Sequence, residues 1–276
     1  MEEIKILPTR IISSEQDSLA DYFKKVVQHR ALILTLAKRD LKVKYAQTYL
    51  GLAWTIVQPL TAVVVFSLFF SVLLEVKNDY PYVLFVLSGV LIWNLFNYIF
   101  SQGSTSLTNN QDLIRKLYFP KIILPLSKVL VALVEFGVTL VLLVGLLIFF
   151  QINIGWQIIF SPLIIAITIV FSTAVTLILS AATIKNRDLN HIIPFLINFG
   201  IWFTPVFYPV SIIPEKFSTL IYLNPMAGFI ELFRWSIGLQ QVFNPYYLMS
   251  VLVSFILLLI SLVYFVKTED SIADKI

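Results

Sequence analysis

KRDLKVKYAQTYLGLAWTIVQPLTAVVVFSLFF, residues 38–70, decides how the chain is laid out. Its first part is basic and compatible with a helix. Gly51 follows, and after it comes an apolar run interrupted by Gln58 and Pro59. A stretch that is cationic on one side and apolar on the other fixes a membrane orientation, because Lys and Arg stay in the cytosol while the apolar part inserts. Every later apolar run then alternates in direction.

The composition agrees with this entry point. The 276 residues are 58% hydrophobic and 13% charged, with a mean hydropathy of +0.87. Soluble domains run at ~45–50% apolar and ~25% charged, so the bilayer is the expected solvent for most of the chain. Cysteine is absent, which excludes a disulfide framework and thiol chemistry. Residues 1–30 contain Glu2, Glu3, Glu15, Asp17 and Asp21 and lack the apolar core of a cleavable signal. The first span is therefore expected to serve as its own insertion signal. Nine of the 20 Lys and Arg precede Gly51, which suits a face near anionic headgroups, where each cation contributes roughly 1 kcal/mol. Nucleic acid is not an expected partner, since electrostatic steering needs a solvated domain.

The expected fold class is an all-α integral membrane protein. Residues 1–51 form a cytosolic lead-in and an interfacial helix. Ser18 and Asp21 make a capping box for a helix from Leu19 to about Leu50, ended at Gly51. Residues 30–50 are expected to lie on the cytosolic membrane surface, the alternative being a soluble helix packed on a partner. Six runs over 52–266 approach the ~20 helical residues that cross ~30 Å of hydrocarbon: 52–74, 81–100, 122–150, 157–181, 192–210 and 246–266. The third is long enough to tilt or to start in the interface. The fifth carries Pro194, Pro205 and Pro209 and is expected to be kinked or partly unwound. Residues 267–276 are a cytosolic tail. With both termini inside, the cytosolic segments hold 17 of the 20 Lys and Arg, and the outer loops hold Lys77, Lys216 and Arg234.

Three connections stand out. Residues 102–121 include a short helix pattern from about Asn109 to Phe119, stopped by Pro120, with Leu113, Ile114, Leu117 and Tyr118 on an apolar side. Residues 182–191 are similar in character and shorter. Helical connections of this kind suggest a surface offered to a cytosolic partner, although a partnerless interfacial helix has the same pattern. Outside, 211–245 reads as two short helices dipping into the outer leaflet, the second started by Asn224 and Pro225 and carrying Glu231 and Arg234. A plain amphipathic surface helix is the alternative.

Catalysis by this chain is not expected. No glycine is followed by lysine, so no phosphate-cradling P-loop exists. His29 and His191 are the two histidines and have no metal-ligand spacing. Glu135 lies within the third run, where a charge costs at least ~2.5 kcal/mol. It has to be protonated, paired or facing water. Arg234 is one candidate partner, and a proton-coupling site or a packing carboxylate are the two readings. Aromatics cluster in the first run (Trp54, Phe66, Phe69, Phe70) and along the fifth (Phe195, Phe199, Trp202, Phe203, Phe207, Tyr208). Their faces can stack on sugar C–H surfaces without charge, and lipid-facing or interhelical packing gives the same pattern.

Four stretches together resemble the permease subunits of ABC-type polysaccharide exporters, which move lipid-linked O-antigen, capsular polysaccharide or teichoic acid across the bacterial inner membrane. They are RDLKVKYAQTYLGLAWTIVQP (39–59), NNQDLIRKLYFPKIILPL (109–126), NFGIWFTPVFYP (198–209) and YLNPMAGFIELFR (222–234). The resemblance implies six transmembrane helices with an N-terminal interfacial amphipathic helix, a cytosolic coupling helix and two short re-entrant helices before the last span. It also implies a homodimer with two copies of a cytosolic ATPase subunit, ATP and Mg residing on that partner and no cofactor on this chain. The coupling contacts would be Asn110, Asp112, Arg115 and Lys116, with Lys185, Arg187 and Asp188 as a second set. The conduit would be lined by Trp54, Phe66, Phe70, Phe199, Trp202, Phe203 and Tyr208. Lys38, Arg39, Lys42 and Lys44 would hold the lipid phosphate of the glycan substrate. An ABC exporter of drugs or small lipids, a proton-coupled carrier switched by Glu135, and a membrane-embedded enzyme are the competing readings.

Overall fold

The computed structural model describes residues 19–69, 80–214, 216 and 220–275. Ser18, Phe70, the end of the first run at 71–74, and parts of both outer loops therefore lie outside the described residues. All regular structure among the described residues is helical, with no strand. In chain order the α-helices are α1 (Leu19–Gln28), α2 (Arg30–Tyr45), α3 (Trp54–Ser67), α4 (Tyr82–Ser104), α5 (Gln111–Lys116), α6 (Ile123–Phe149), α7 (Ser161–Lys185), α8 (Leu189–Gly200), α9 (Pro225–Ser236) and α10 (Tyr247–Lys275).

Four segments are long and apolar enough to cross a membrane: Tyr82–Ser104, Ile123–Phe149, Trp156–Lys185 and Tyr247–Glu269. The first and fifth expected runs form shorter apolar helices, Gly51–Ser67 and Leu189–Gly200. The fifth is cut at Gly200 because Pro205 removes a backbone donor and its ring excludes a helical partner at Ile201. Residues 201–206 accordingly pass through turns. At the other end of the chain, the expected tail at 267–276 is a continuation of α10, which stays helical through Lys275.

The expected single helix from Leu19 to Leu50 is two helices. The chain breaks at His29, whose ring Nδ1 lies 2.8 Å from the Lys25 carbonyl. It stops at Tyr45, and Gln47 then turns with φ 60°. Helix α2 also packs along α6. Asp40 pairs with Lys128, and Lys44 and Tyr45 reach Glu135 one to two turns further along α6. The two helices therefore ascend side by side.

Helix α4 is the centre of the bundle, packed against α3, α6, α7 and α9. Of its apolar window 72% is buried, against 22% for the last helix, so α10 leaves most of its surface outside the bundle. In lipid, helices gain little from hiding apolar surface, so close approach and interhelical hydrogen bonds count for more. The α7 seam uses both. Thr168, Ser172, Thr176 and Ser180 recur every four residues, all fully buried. Thr176 donates to the Ile99 carbonyl at 3.1 Å, and Thr183 donates to the Ser104 carbonyl at 3.1 Å, both on α4. A second cluster closes the end that carries α1 and α5, with Leu107, Ile123, Leu177 and Phe265 fully buried. There Glu269 accepts from the Tyr22 hydroxyl and, at 2.7 Å, from the Lys121 amide.

Candidate functional site

The unwound stretch after α8 creates a chemical problem and the chain solves it. Turn residues within an apolar bundle leave carbonyls that lipid cannot satisfy. Arg234, on α9, takes them up. Its Nη1 donates to the Pro205 carbonyl at 2.7 Å and its Nη2 to the Val206 carbonyl at 2.8 Å. Nη2 also donates to the Phe85 carbonyl at 3.0 Å, with the guanidinium 3.5 Å over the Phe85 ring. Tyr82 donates to the Phe207 carbonyl. The charge is balanced by Glu231, 2.7 Å from Nη1. The other Glu231 oxygen accepts from Gln240 Nε2 at 2.8 Å. Gly89 makes room, since a Cβ there would stand 2.6 Å from Nη2.

Asn224 caps α9 by accepting from the Met226 amide at 3.1 Å, as the Asn-Pro pair predicts. Helix α9 is buried on nearly every side by α4, α7 and α10. An amphipathic helix on the outer surface is therefore excluded. The Arg234–Glu231 pair also removes Arg234 as the candidate partner of Glu135. Sequence patterning missed the pairing of the broken backbone with Arg234, although the i, i+3 spacing of Glu231 and Arg234 was visible.

Phe66 of the first run meets aromatic residues of the fifth. Phe66 stands 5.8 Å from Trp202 and stacks on the buried Phe207 at 3.6 Å. Tyr208 folds back to donate to the Trp202 carbonyl at 3.0 Å. Trp54, Phe199, Trp202 and Phe203 are all exposed, Phe203 at 72%. Phe195 and Phe199 pack on each other at 4.3 Å and face outward with them. Phe66 is part of the packed core rather than a free face.

Glu135 finds its counter-charge in α2. Lys44 Nζ lies 2.6 Å from Oε1 and sits 4.4 Å over the Tyr98 ring. The Tyr45 hydroxyl donates to the same oxygen at 2.8 Å. Burial and the neighbouring Glu135 push the Tyr45 phenol well above its ordinary pKa, so it remains a donor. Arg39 reaches Asp40 at 2.8 Å and Asn110 at 3.0 Å. Of the four expected phosphate contacts, Arg39 and Lys44 thus have protein partners. Lys38 and Lys42 are exposed with no ion pair among the described residues. Lys44, Tyr98 and Glu135 border a cavity of 220 Å³ between α3, α4 and α6.

The cytosolic candidates lie at one end of the bundle. Helix α5 is shorter than expected, ending at Lys116, and Leu117 turns extended. Leu113 and Ile114 pack inward, whereas Leu117 and Tyr118 are exposed and do not share their side. Asp112, Arg115 and Lys116 face outward, and Asn110 is half-buried. Lys185, Arg187 and Asp188 are exposed in the α7–α8 turn. The Thr183–Ser104 bond ties the two regions to the same end. Among the described residues no group of three or more His, Asp or Glu could hold a metal.

Long apolar helices, charges gathered at one end or sealed in pairs, and a broken aromatic helix define a multi-pass helical membrane protein. The chain belongs to the ABC-2 type transporter family, whose model matches residues 31–238. It is 31% identical over 214 residues to an O-antigen export system permease protein, RfbA, of Myxococcus xanthus, covering 76% of this chain and 82% of that one. It is 28% identical over 245 residues to an O-antigen export system permease protein RfbA of Klebsiella pneumoniae, covering 88% and 94%.

Proposed function

We propose that this chain is the channel-forming membrane subunit of an ATP-driven exporter that moves lipid-linked polysaccharide of the O-antigen kind across the bacterial inner membrane. One observation carries the reading within the family. Exposed aromatic faces on α8 and the unwound stretch, Phe199, Trp202 and Phe203, lie beside α3, whose Phe66 packs beneath Trp202. An uncharged aromatic surface lets a polymer slide without a fixed register. The names of the relatives point to the same cargo.

Six crossings, both termini in the cytosol, account for the charge asymmetry if α3 and α8 cross with the residues that follow them. The outer loops and α9 then form the re-entrant part. Two copies of this chain face each other across the aromatic surface, and two ATPase subunits, which carry ATP and Mg, dock on the cytosolic end. Asn110, Asp112, Arg115 and Lys116 meet one part of the ATPase, and Lys185, Arg187 and Asp188 another. Arg39 joins α2 to this region through Asn110, so a push on the ATPase side reaches α6 through Asp40 and Lys128. Coupling needs contacts that differ between two states, and these polar links are of that kind. Lys38 and Lys42 are the cations left to receive a lipid phosphate.

The test is ATPase activity of this chain co-purified with its ATPase subunit in lipid discs. A polyprenyl-diphosphate-linked glycan is expected to stimulate hydrolysis, and hydrophobic drugs are not. Stimulation by drugs alone would replace polysaccharide with small apolar cargo.

A further inference from the structure

The open cavity between α3, α4 and α6 is lined by polar side chains that have no hydrogen-bond partner among the described residues. Asn94 and Asn97 enter it from α4 and Gln58 from α3. Their side-chain amides make no hydrogen bond among the described residues. Asn94 stands twelve residues into the 23-residue α4, about 18 Å along its axis at ~1.5 Å per residue. That is mid-span, where an unpaired amide is costly and where polar side chains mark a substrate path by default. Glu135 adds a second sign of incompleteness. Lys44 and Tyr45 both engage Oε1, and Oε2 has no partner among the described residues.

We propose that this cavity is a sugar-binding subsite that takes one ring of the exported glycan; the inference rests on the export reading above. A sugar hydroxyl both donates and accepts, as does a side-chain amide. Gln58, Asn94 and Asn97 can therefore each exchange bonds with hydroxyls, and Glu135 Oε2 accepts another. Trp54, 45% exposed, lines the cavity and supplies an aromatic side chain for the ring's C–H side. At 220 Å³ the cavity has room for several waters or a single sugar ring. Phosphate fits poorly. Lys44 is the one cation among the described lining residues, and Glu135 already neutralises it at 2.6 Å. The site thus separates the sugar from the lipid phosphate, which stays with the exposed cations of α2.

The experiment measures equilibrium binding of two radiolabelled probes to the complex with its ATPase subunit in lipid discs. One probe is a polyprenyl-diphosphate-linked disaccharide and the other is sugar-free polyprenyl diphosphate. Asn94→Leu and Gln58→Leu, both at exposed positions, are each expected to weaken the disaccharide probe about tenfold, or ~1.4 kcal/mol, and to leave the sugar-free probe unchanged. Equal affinities in wild type and variants would overturn the subsite and leave water as the occupant. Equal weakening of both probes would also overturn it, because a distorted fold or a phosphate site acts on both. A wild-type complex that binds neither probe overturns the export reading itself.

Discussion

Arg234 does a task that lysine cannot. Its planar fork holds three carbonyls and one carboxylate at once, whereas an ammonium is a compact charge with three donors. Removing either member of a buried pair leaves an uncompensated charge and costs about 3–5 kcal/mol. Arg234→Met is expected to lower the melting temperature of the purified chain sharply, and Arg234→Lys is expected to recover only part of it. A near-wild-type melt for Arg234→Met would show that the Pro205 and Val206 carbonyls do not depend on it. Gly89 is the counterpart position. A methyl at Gly89 would sit 2.6 Å from the guanidinium and 2.7 Å from the Val206 carbonyl oxygen. Gly89→Ala should therefore destabilise by about 1–3 kcal/mol, the range for an overpacked core. The same thermal melts check it.

Helix α2 is held as an element rather than by any single contact. Asp40 and Lys128 are 13% and 12% exposed, so their pairing is shielded from solvent in a way that the Arg39–Asp40 contact is not. A double-mutant cycle on Asp40→Asn and Lys128→Gln should return a coupling of about 0.5–3 kcal/mol. A coupling near zero would mean that α2 is held by its apolar side alone. Much of this level is legible in sequence, and the failures are instructive. The proline-driven stop of α8 and the Asn-Pro start of α9 follow from local chemistry, since the deciding residues are neighbours. The break at His29 has no glycine or proline to announce it. Glu135 was recognisable as a charge needing a partner, but Lys44 lies 91 residues away, and only folding chooses it over Arg234. The polar stripe of Asn94, Asn97 and Ser101 was available at helical spacing. It is diluted by the aromatics around it, so an apolar span was all that stood out.

At the scale of the molecule, polar groups divide into two sets. A sealed set near the broken helix keeps the architecture, and an exposed set lies at the opposite end. Lys116→Glu with Arg187→Glu is expected to reduce co-purification of the ATPase subunit severalfold without changing the melting temperature. Undiminished co-purification would place the docking surface elsewhere. Neutralising Lys38 and Lys42 is expected to weaken glycan-stimulated hydrolysis while assembly persists, measured as ATPase rate against glycan concentration; an unchanged response would remove them from the phosphate contact. The clasp at Glu269 carries a consequence for biosynthesis. Chains emerge N-terminus first at ~5–20 residues per second, and Glu269 follows Lys121 by 148 residues. The Lys121 amide therefore waits roughly 7–30 seconds for that carboxylate. A nascent chain that stalls before Glu269 lacks the carboxylate that holds both Tyr22 of α1 and the Lys121 amide, and so differs structurally from a longer one at this end of the bundle.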